Sequence, residues 1–262
     1  RDIAYINWQK EQGRLTSGEA DYWKEKIGNL QEYQYGYHKG WSMILDTLTW
    51  PVLIMMLICI GIAPIFAGEY QSKCDSLILC MKYGRSKLIL AKIISGWLYA
   101  TGVYWGITLI YSSIYMIFLG TQGADLPIQL KYPAMSVGYN LTMGEAVGIT
   151  LLLGYFFTLG IMGITLFMSA LLKNTYAVII VAFLLIIIPT FLSLDTGGYV
   201  WSHVLSLLPP KIADFSFQSY TAYSIGNIVL SWPVMAILVN AIVAVLCSVL
   251  GYIIFRKHQV NK

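Results

Sequence analysis

The chain has 262 residues, of which 57% are hydrophobic and only 11% charged, and its mean hydropathy is +0.65. Soluble domains carry about 25% charged residues, so water is not its main solvent and an ordinary soluble globule is excluded. The net charge of +4 is too small to indicate a nucleic-acid partner.

Residues 1–43 are polar and read as an outer helical hairpin. Thr16 and Glu19 have the spacing of a capping box, and Trp23, Ile27, Leu30 and Tyr37 recur at helical intervals. A stripe of this kind can bind a ligand, but docking on the protein's own outer loops is the commoner outcome. Trp41 and Trp50 suit an interfacial aromatic belt.

Charge-free runs follow at Thr47–Gly68, Ile93–Ala124, Ala146–Leu172, Asn174–Leu194 and Phe215–Phe255. A bilayer core needs roughly 20 apolar helical residues to cross it, and a helix satisfies its own backbone groups in lipid. The expected fold is therefore an all-α polytopic membrane protein with five transmembrane helices, at about 44–67, 89–119, 146–172, 174–194 and 228–255. Pro64 predicts a kink near the end of the first span, and Pro189 one in the fourth. Gly102 and Gly106, and Gly144 and Gly148, have the GxxxG spacing that permits close helix packing. Before the last span, Pro209 and Pro210 divide an apolar stretch that continues with Phe215, Phe217, Tyr220 and Tyr223. It is too greasy for a solvated loop and too broken for a span. Outer re-entrant helices, or an interfacial loop with aromatic anchors, both fit.

Orientation follows from Lys and Arg, which stay on the cytoplasmic side. Lys73, Lys82, Arg85, Lys87, Lys92, Lys173, Arg256, Lys257 and Lys262 share one side; the opposite loops, Thr121–Glu145 and Asp195–Ser231, hold only Lys131 and Lys211. The C-terminus and loop 68–88 are thus expected inside the cell membrane and residues 1–43 outside. A long outer segment beginning at Arg1, with no signal peptide, predicts a further span upstream, making six in the full protein.

Catalytic signatures are missing. There is no G-x-x-x-x-G-K-[ST] phosphate loop, no HExxH and no GxSxG. His38, His203 and His258 lie far apart, and no span interior carries an ionisable pair. Cys59 and Cys247 fall within spans; Cys74 and Cys80 fall in the inner loop without a His partner, which is not a zinc pattern. No enzymatic activity, metal or bound cofactor is expected of this chain. Its greasy spans suit a hydrophobic or amphipathic passenger.

Loop 68–88 is the most informative segment. Asp75 or Ser76 can cap a short helix whose apolar face is Leu77, Ile78, Cys80 and Met81, and Ser86 can cap the next. Basic Lys82, Arg85 and Lys87 follow it. A two-turn helix is not stable alone in water, so a lipid surface or a partner must hold it. Glu69, Asp75, Leu77, Leu79, Tyr83, Arg85 and Lys92, in this order, resemble the E-x-x-x-G-T/D-x-x-x-L-L and P/Y-x-x-R-x-x-x-x-x-x-K pattern of type-2 ABC transporter permease subunits; Lys73-Cys74 stand where that pattern has Gly. The resemblance covers nearly the whole chain in layout. It implies that 68–88 is a coupling loop seated on a separate ATPase dimer, which would bind ATP and Mg. Leu77, Ile78 and Met81 would enter the ATPase groove, and Lys82, Arg85 and Lys87 would meet acidic groups. It also implies a second permease, identical or paralogous, and outer re-entrant helices. In the family, spans corresponding by order to 44–67 and 174–194 line the permease interface, so Met56, Gly61, Ala182 and Phe183 are expected along a substrate path. The implied activity is export of an antimicrobial peptide, drug or lipid. A non-transporting sensor or immunity protein that binds peptide on its outer segment is the alternative.

Overall fold

A computed structural model describes residues 2–28, 35–47, 51–74, 77, 80, 81, 83, 84, 86–132, 137–192, 198–214, 216–226 and 228–257. The chain is mostly helical. α1 (Asp2–Glu11) and α2 (Ser17–Gly28) form the expected hairpin. Gly13, at φ +67°, closes α1 with hydrogen bonds from its own N–H to Lys10 O and from Arg14 N–H to Gln9 O, a Schellman-type stop that requires a left-handed residue. The capping box opens α2: Glu19 N–H donates to Thr16 Oγ1 and Thr16 N–H to Glu19 Oε2.

α3 (Lys39–Thr47) holds residues 44–47, and residues 48–50, which follow it, lie outside the described residues. The span itself is α4 (Pro51–Ile62) and α5 (Pro64–Gln71), broken where Pro64 lacks an N–H. α6 (Lys87–Leu119) runs 33 residues, about 50 Å at 1.5 Å each; Ser86 precedes it without making the capping hydrogen bond expected of it. A short 3₁₀ turn (Ile128–Lys131) leads to α7 (Met143–Leu171), which opens on a capping box between Thr142 and Glu145. α8 (Thr175–Phe191) is capped by Asn174 and carries Pro189 inside its last turn. α9 (Gly198–Leu205) and a 3₁₀ turn (Pro209–Asp214) follow, and then a β-hairpin of β1 (Ala222–Ile225) and β2 (Ile228–Ser231) before α10 (Trp232–Lys257).

Two expectations change. The last span begins at Trp232, not 228, because 222–231 pair as antiparallel strands with Ala222 opposite Ser231 and Ile225 opposite Ile228. Gly226, just after β1, takes φ +61°, as tight hairpin turns demand. A purely α fold therefore gives way to a helical one with a small hairpin. Second, among the described residues four helices are long and apolar enough to cross a membrane: α4–α5 together, α6, α7 and α10. α8, the expected fourth of five spans, is a shorter apolar helix of 17 residues.

α7 is the centre of the bundle, with 61% of its most apolar stretch buried against 11% for α6. Its tightest neighbour is α10. A Cβ on Gly163 would lie 2.7 Å from Ala244 Cα, and one on Gly160 would lie 2.5 Å from Asn240 Oδ1. The GxxxG pairs picked out in the sequence do not do this: Gly102, Gly106 and Gly148 face open space, and only Gly144 packs closely, on Ala124. Thr150, Thr158 and Thr165 return their hydroxyls to carbonyls one turn back, so polar groups on α7 are satisfied within the bundle.

Candidate functional site

Each end of the bundle gathers chain-distant segments. At one end α5 leaves the bundle and α6 re-enters it, joined by an ion pair between Glu69 and Lys92. Lys92 Nζ also donates to Ile65 O at 2.8 Å. Tyr70 donates to Ala170 O, Gln71 to Asn174 Oδ1, and Phe255 of α10 packs on Phe66 and Tyr70. Loop 68–88 therefore starts and finishes at one fixed place, where α5, α6, α7, α8 and α10 meet. Lys73 adopts φ +56°. That is the left-handed region where glycine is at ease, and it falls where the permease pattern carries Gly.

Within the loop, Leu77, Met81 and Tyr83 are exposed, at 70%, 52% and 51%. Lys87 Nζ sits 4.7 Å from the Tyr83 ring centroid. Asp75, Ile78, Lys82 and Arg85, with Ser76 and Leu79, lie outside the described residues. Of the remaining loop residues, the structure pairs Glu69 with the start of α6 and leaves an apolar and aromatic set facing outward.

Deeper in the same region Ser169 of α7 closes the Pro64 break. Its hydroxyl accepts from Phe66 N–H at 3.0 Å and Ala67 N–H at 3.1 Å, and donates to Ala63 O at 2.7 Å. Membrane helices tolerate proline where a neighbouring Ser or Thr serves the disturbed backbone.

The residues expected along a path separate. Met56 and Phe183 pack against one apolar cluster that contains Ala182, Met55 and Cys59, where α4 meets α8. Ala182 is 1% exposed, inside the bundle. Gly61 stands apart from that cluster: a Cβ there would meet the Tyr99 hydroxyl of α6 at 2.4 Å.

At the other end, α1, α2, α3, residues 128–130 and 137–139, the start of α7 and residues 217–222 share one hydrophobic core. Trp23 is its centre, fully buried with Tyr139 and Tyr220 against it edge-on. Ile27 packs on the same core, and Leu30 lies outside the described residues. Trp23 and Ile27 of the N-terminal stripe thus dock on the protein's own loops, while Tyr37 is exposed. Lys131, almost buried, donates to Ser42 O and Asp46 Oδ1; burial pulls its ammonium below the usual lysine range, and Asp46 opposes that pull.

A polar network was not legible in the sequence. Tyr199 donates to Glu19 Oε1 at 2.8 Å, linking α9 to α2. His203 places Nδ1 2.8 Å from Tyr199 O and Nε2 3.1 Å from Ala222 O, so the ring bridges α9 to β1. The Tyr223 hydroxyl lies 2.7 Å from both Ser206 Oγ and His203 O. Burial, reinforced by the hydrogen bond to Glu19, pushes the Tyr199 phenol up to about 12, so it remains a donor at neutral pH. Burial likewise pushes Tyr223 up to about 12, against the pull of the Ser206 hydrogen bond. No local spacing connects Glu19 with Tyr199, 180 positions apart. Among the described residues, no three His, Cys, Asp or Glu side chains gather as metal ligands do.

No curated protein and no solved structure matches the chain significantly. Residues 22–260 match the family model described as "Protein of unknown function (DUF2705)". That match takes in α6, α7, α10 and both ends of the bundle, and the chain belongs to the DUF2705 family.

Proposed function

We propose that this chain is the permease subunit of an ATP-driven exporter in the cell membrane, with its C-terminus cytoplasmic. It moves a hydrophobic or amphipathic substrate, with an antimicrobial peptide, drug or lipid as the candidates. ATP and Mg belong to a separate ATPase dimer, and a second permease completes the translocator. The observation that carries this reading is the loop end of the bundle. Exposed Leu77, Met81 and Tyr83 stand between positive residues, on a segment clamped at its base by Glu69 and Lys92. The loop feeds directly into the 33-residue α6. A push on such a loop is passed to the longest helix in the chain rather than dissipated in a flexible linker.

The test is replacement of Leu77 and Met81 together by Asp. Both side chains are exposed, so membrane insertion and thermal stability should stay as in the native chain, while the ATPase encoded beside it or co-expressed with it no longer co-purifies. Full retention of the ATPase sinks the coupling assignment. A sensor or immunity protein is the second reading, favoured by the separate core and cavity of the opposite end. It expects no ATPase to co-purify even with the native chain.

A further inference from the structure

We infer that the cavity between α2 and the segment entering α7 binds the zwitterionic headgroup of an aminophospholipid, its phosphodiester on Lys26 and its primary ammonium on Glu25. Among the described residues the walls are Tyr22, Glu25 and Lys26 of α2, with Tyr139, Asn140 and Leu141. The space measures about 330 Å³, at the small end of the roughly 300–1,000 Å³ typical of ligand pockets. It suits a headgroup, with the acyl chains left outside along the spans. Depth selects a lipid. α7 begins at Met143, two residues after Leu141, and its 29 residues extend about 44 Å at 1.5 Å each. A bilayer measures about 40–45 Å with its headgroup layers. A membrane-crossing helix of that length reaches from one headgroup layer to the other, so residues 139–141 stand at headgroup depth.

Charge selects the headgroup. Lys26 Nζ lies 5.1 Å from the Tyr22 ring centroid and 5.6 Å from that of Tyr139. Among the described residues neither Lys26 nor Glu25 has an ion-pair partner. One cation and one anion side by side match a zwitterion, whereas an anionic lipid would bring a like charge to Glu25. The two rings are already covered by Lys26, so no aromatic cage remains for a quaternary ammonium. A primary ammonium instead donates hydrogen bonds to a carboxylate. Tyr139 adds a donor at the phosphate wall: its hydroxyl is buried with no hydrogen-bond partner among the described residues. Burial holds this phenol well above its usual range, so it keeps its proton. The walls are also set in advance. Gln129 Nε2 donates to Tyr139 O at 3.2 Å, Ile128 N–H donates to Leu141 O at 3.0 Å, and Trp23 packs edge-on against Tyr139. A preorganised wall lowers the ordering cost of binding. The inference needs the chain to span a membrane but does not depend on the exporter reading, and its failure leaves the ATPase co-purification result untouched.

The experiment uses the full chain, delipidated in detergent and titrated with dioleoyl phosphatidylethanolamine, phosphatidylcholine and phosphatidylglycerol. Bound lipid is counted by native mass spectrometry. The ethanolamine lipid should bind saturably, and the choline and glycerol lipids about tenfold more weakly. Lys26→Gln should weaken all three, the ethanolamine lipid by about tenfold. Glu25→Gln should remove the preference for ethanolamine while leaving the choline lipid as it was. Lys24→Gln removes a cation of the same helix that pairs with Asp21 outside the cavity, and it should change nothing. Glycerophosphoethanolamine, the same headgroup without acyl chains, should fail to displace the lipid at equal concentration. The assignment is overturned by no saturable binding, by equal binding of the three lipids, by an unaffected Lys26→Gln protein, by a preference that survives Glu25→Gln, or by an equal loss in Lys24→Gln. Displacement by glycerophosphoethanolamine at equal concentration overturns the lipid as the source of the headgroup in favour of a soluble phosphoethanolamine.

Discussion

Ser169 and Pro64 lie more than a hundred positions apart, yet they form one structural unit. Proline costs a membrane helix an N–H donor and crowds the carbonyl a turn before it. The three hydrogen bonds at Ser169, accepted from Phe66 N–H and Ala67 N–H and donated to Ala63 O, offset that loss. Ser169→Ala should therefore lower thermal stability in detergent, by about 1–3 kcal/mol for buried backbone groups that lose a partner. In a Pro64→Ala background the helix regains its own ladder, and the same substitution should cost clearly less. Equal costs in the two backgrounds, measured as a double-mutant cycle, would show that Ser169 stabilises α7 alone. The kink was readable from Pro64 by itself. The serine that serves it was not, because nothing local marks a hydroxyl on another helix as a partner. The same limit hid the bond between Glu19 and Tyr199, although the Thr16–Glu19 capping box was readable because it is local. Lys73 adds a case of the opposite kind: a family pattern expecting Gly finds a lysine, and the backbone there still takes the left-handed turn.

Elements were legible where length and composition decide them. The long helices α6, α7 and α10 follow from apolar run lengths, and their ends fall within a few residues of the expected ones except where local signals were outweighed. At 222–231 the sequence "AYSIGNIVLS" carries a hairpin signal, β-branched residues flanking Gly-Asn. It stands inside a charge-free run, and run length prevailed over turn chemistry. Packing between elements was less legible, since glycine spacing alone does not tell which helix comes close. Gly163→Ala would place a methyl 2.7 Å from the Ala244 backbone, and an overpacked helix pair costs about 1–3 kcal/mol. Gly102→Ala meets nothing within 4 Å and gains helix propensity instead. Thermal unfolding in micelles should thus move in opposite directions for the two. Ala182→Trp should fall with Gly163→Ala, being inside the bundle, whereas Val245→Trp, at a position 53% exposed, should be tolerated. Comparable stability of all four proteins would mean that the α7–α10 and α4–α8 contacts are not as close as described.

On the scale of the whole molecule, three segments far apart in sequence assemble at one end of the bundle and the basic loop leaves from the other. Charge counting assigns the loop end to the cytoplasm, because 68–88 with Lys92, Lys173 and the C-terminal tail carries nine Lys and Arg. The packing makes that assignment collective: α1, α2, 128–130, 137–139 and 217–222 share a core, so they occupy the same side of a membrane whichever side that is. Single cysteines test it in a chain whose Cys59, Cys74, Cys80 and Cys247 have been replaced. Tyr35→Cys, at a position 90% exposed, and Leu77→Cys, at one 70% exposed, report the two ends. In intact cells an impermeant maleimide should label position 35 and spare 77, and permeabilised cells should label both. The reverse pattern would turn the molecule over, put the Leu77–Met81–Tyr83 face outside the cell and remove any access for an ATPase. Labelling of both positions in intact cells would mean that the bundle does not separate its ends across the bilayer at all.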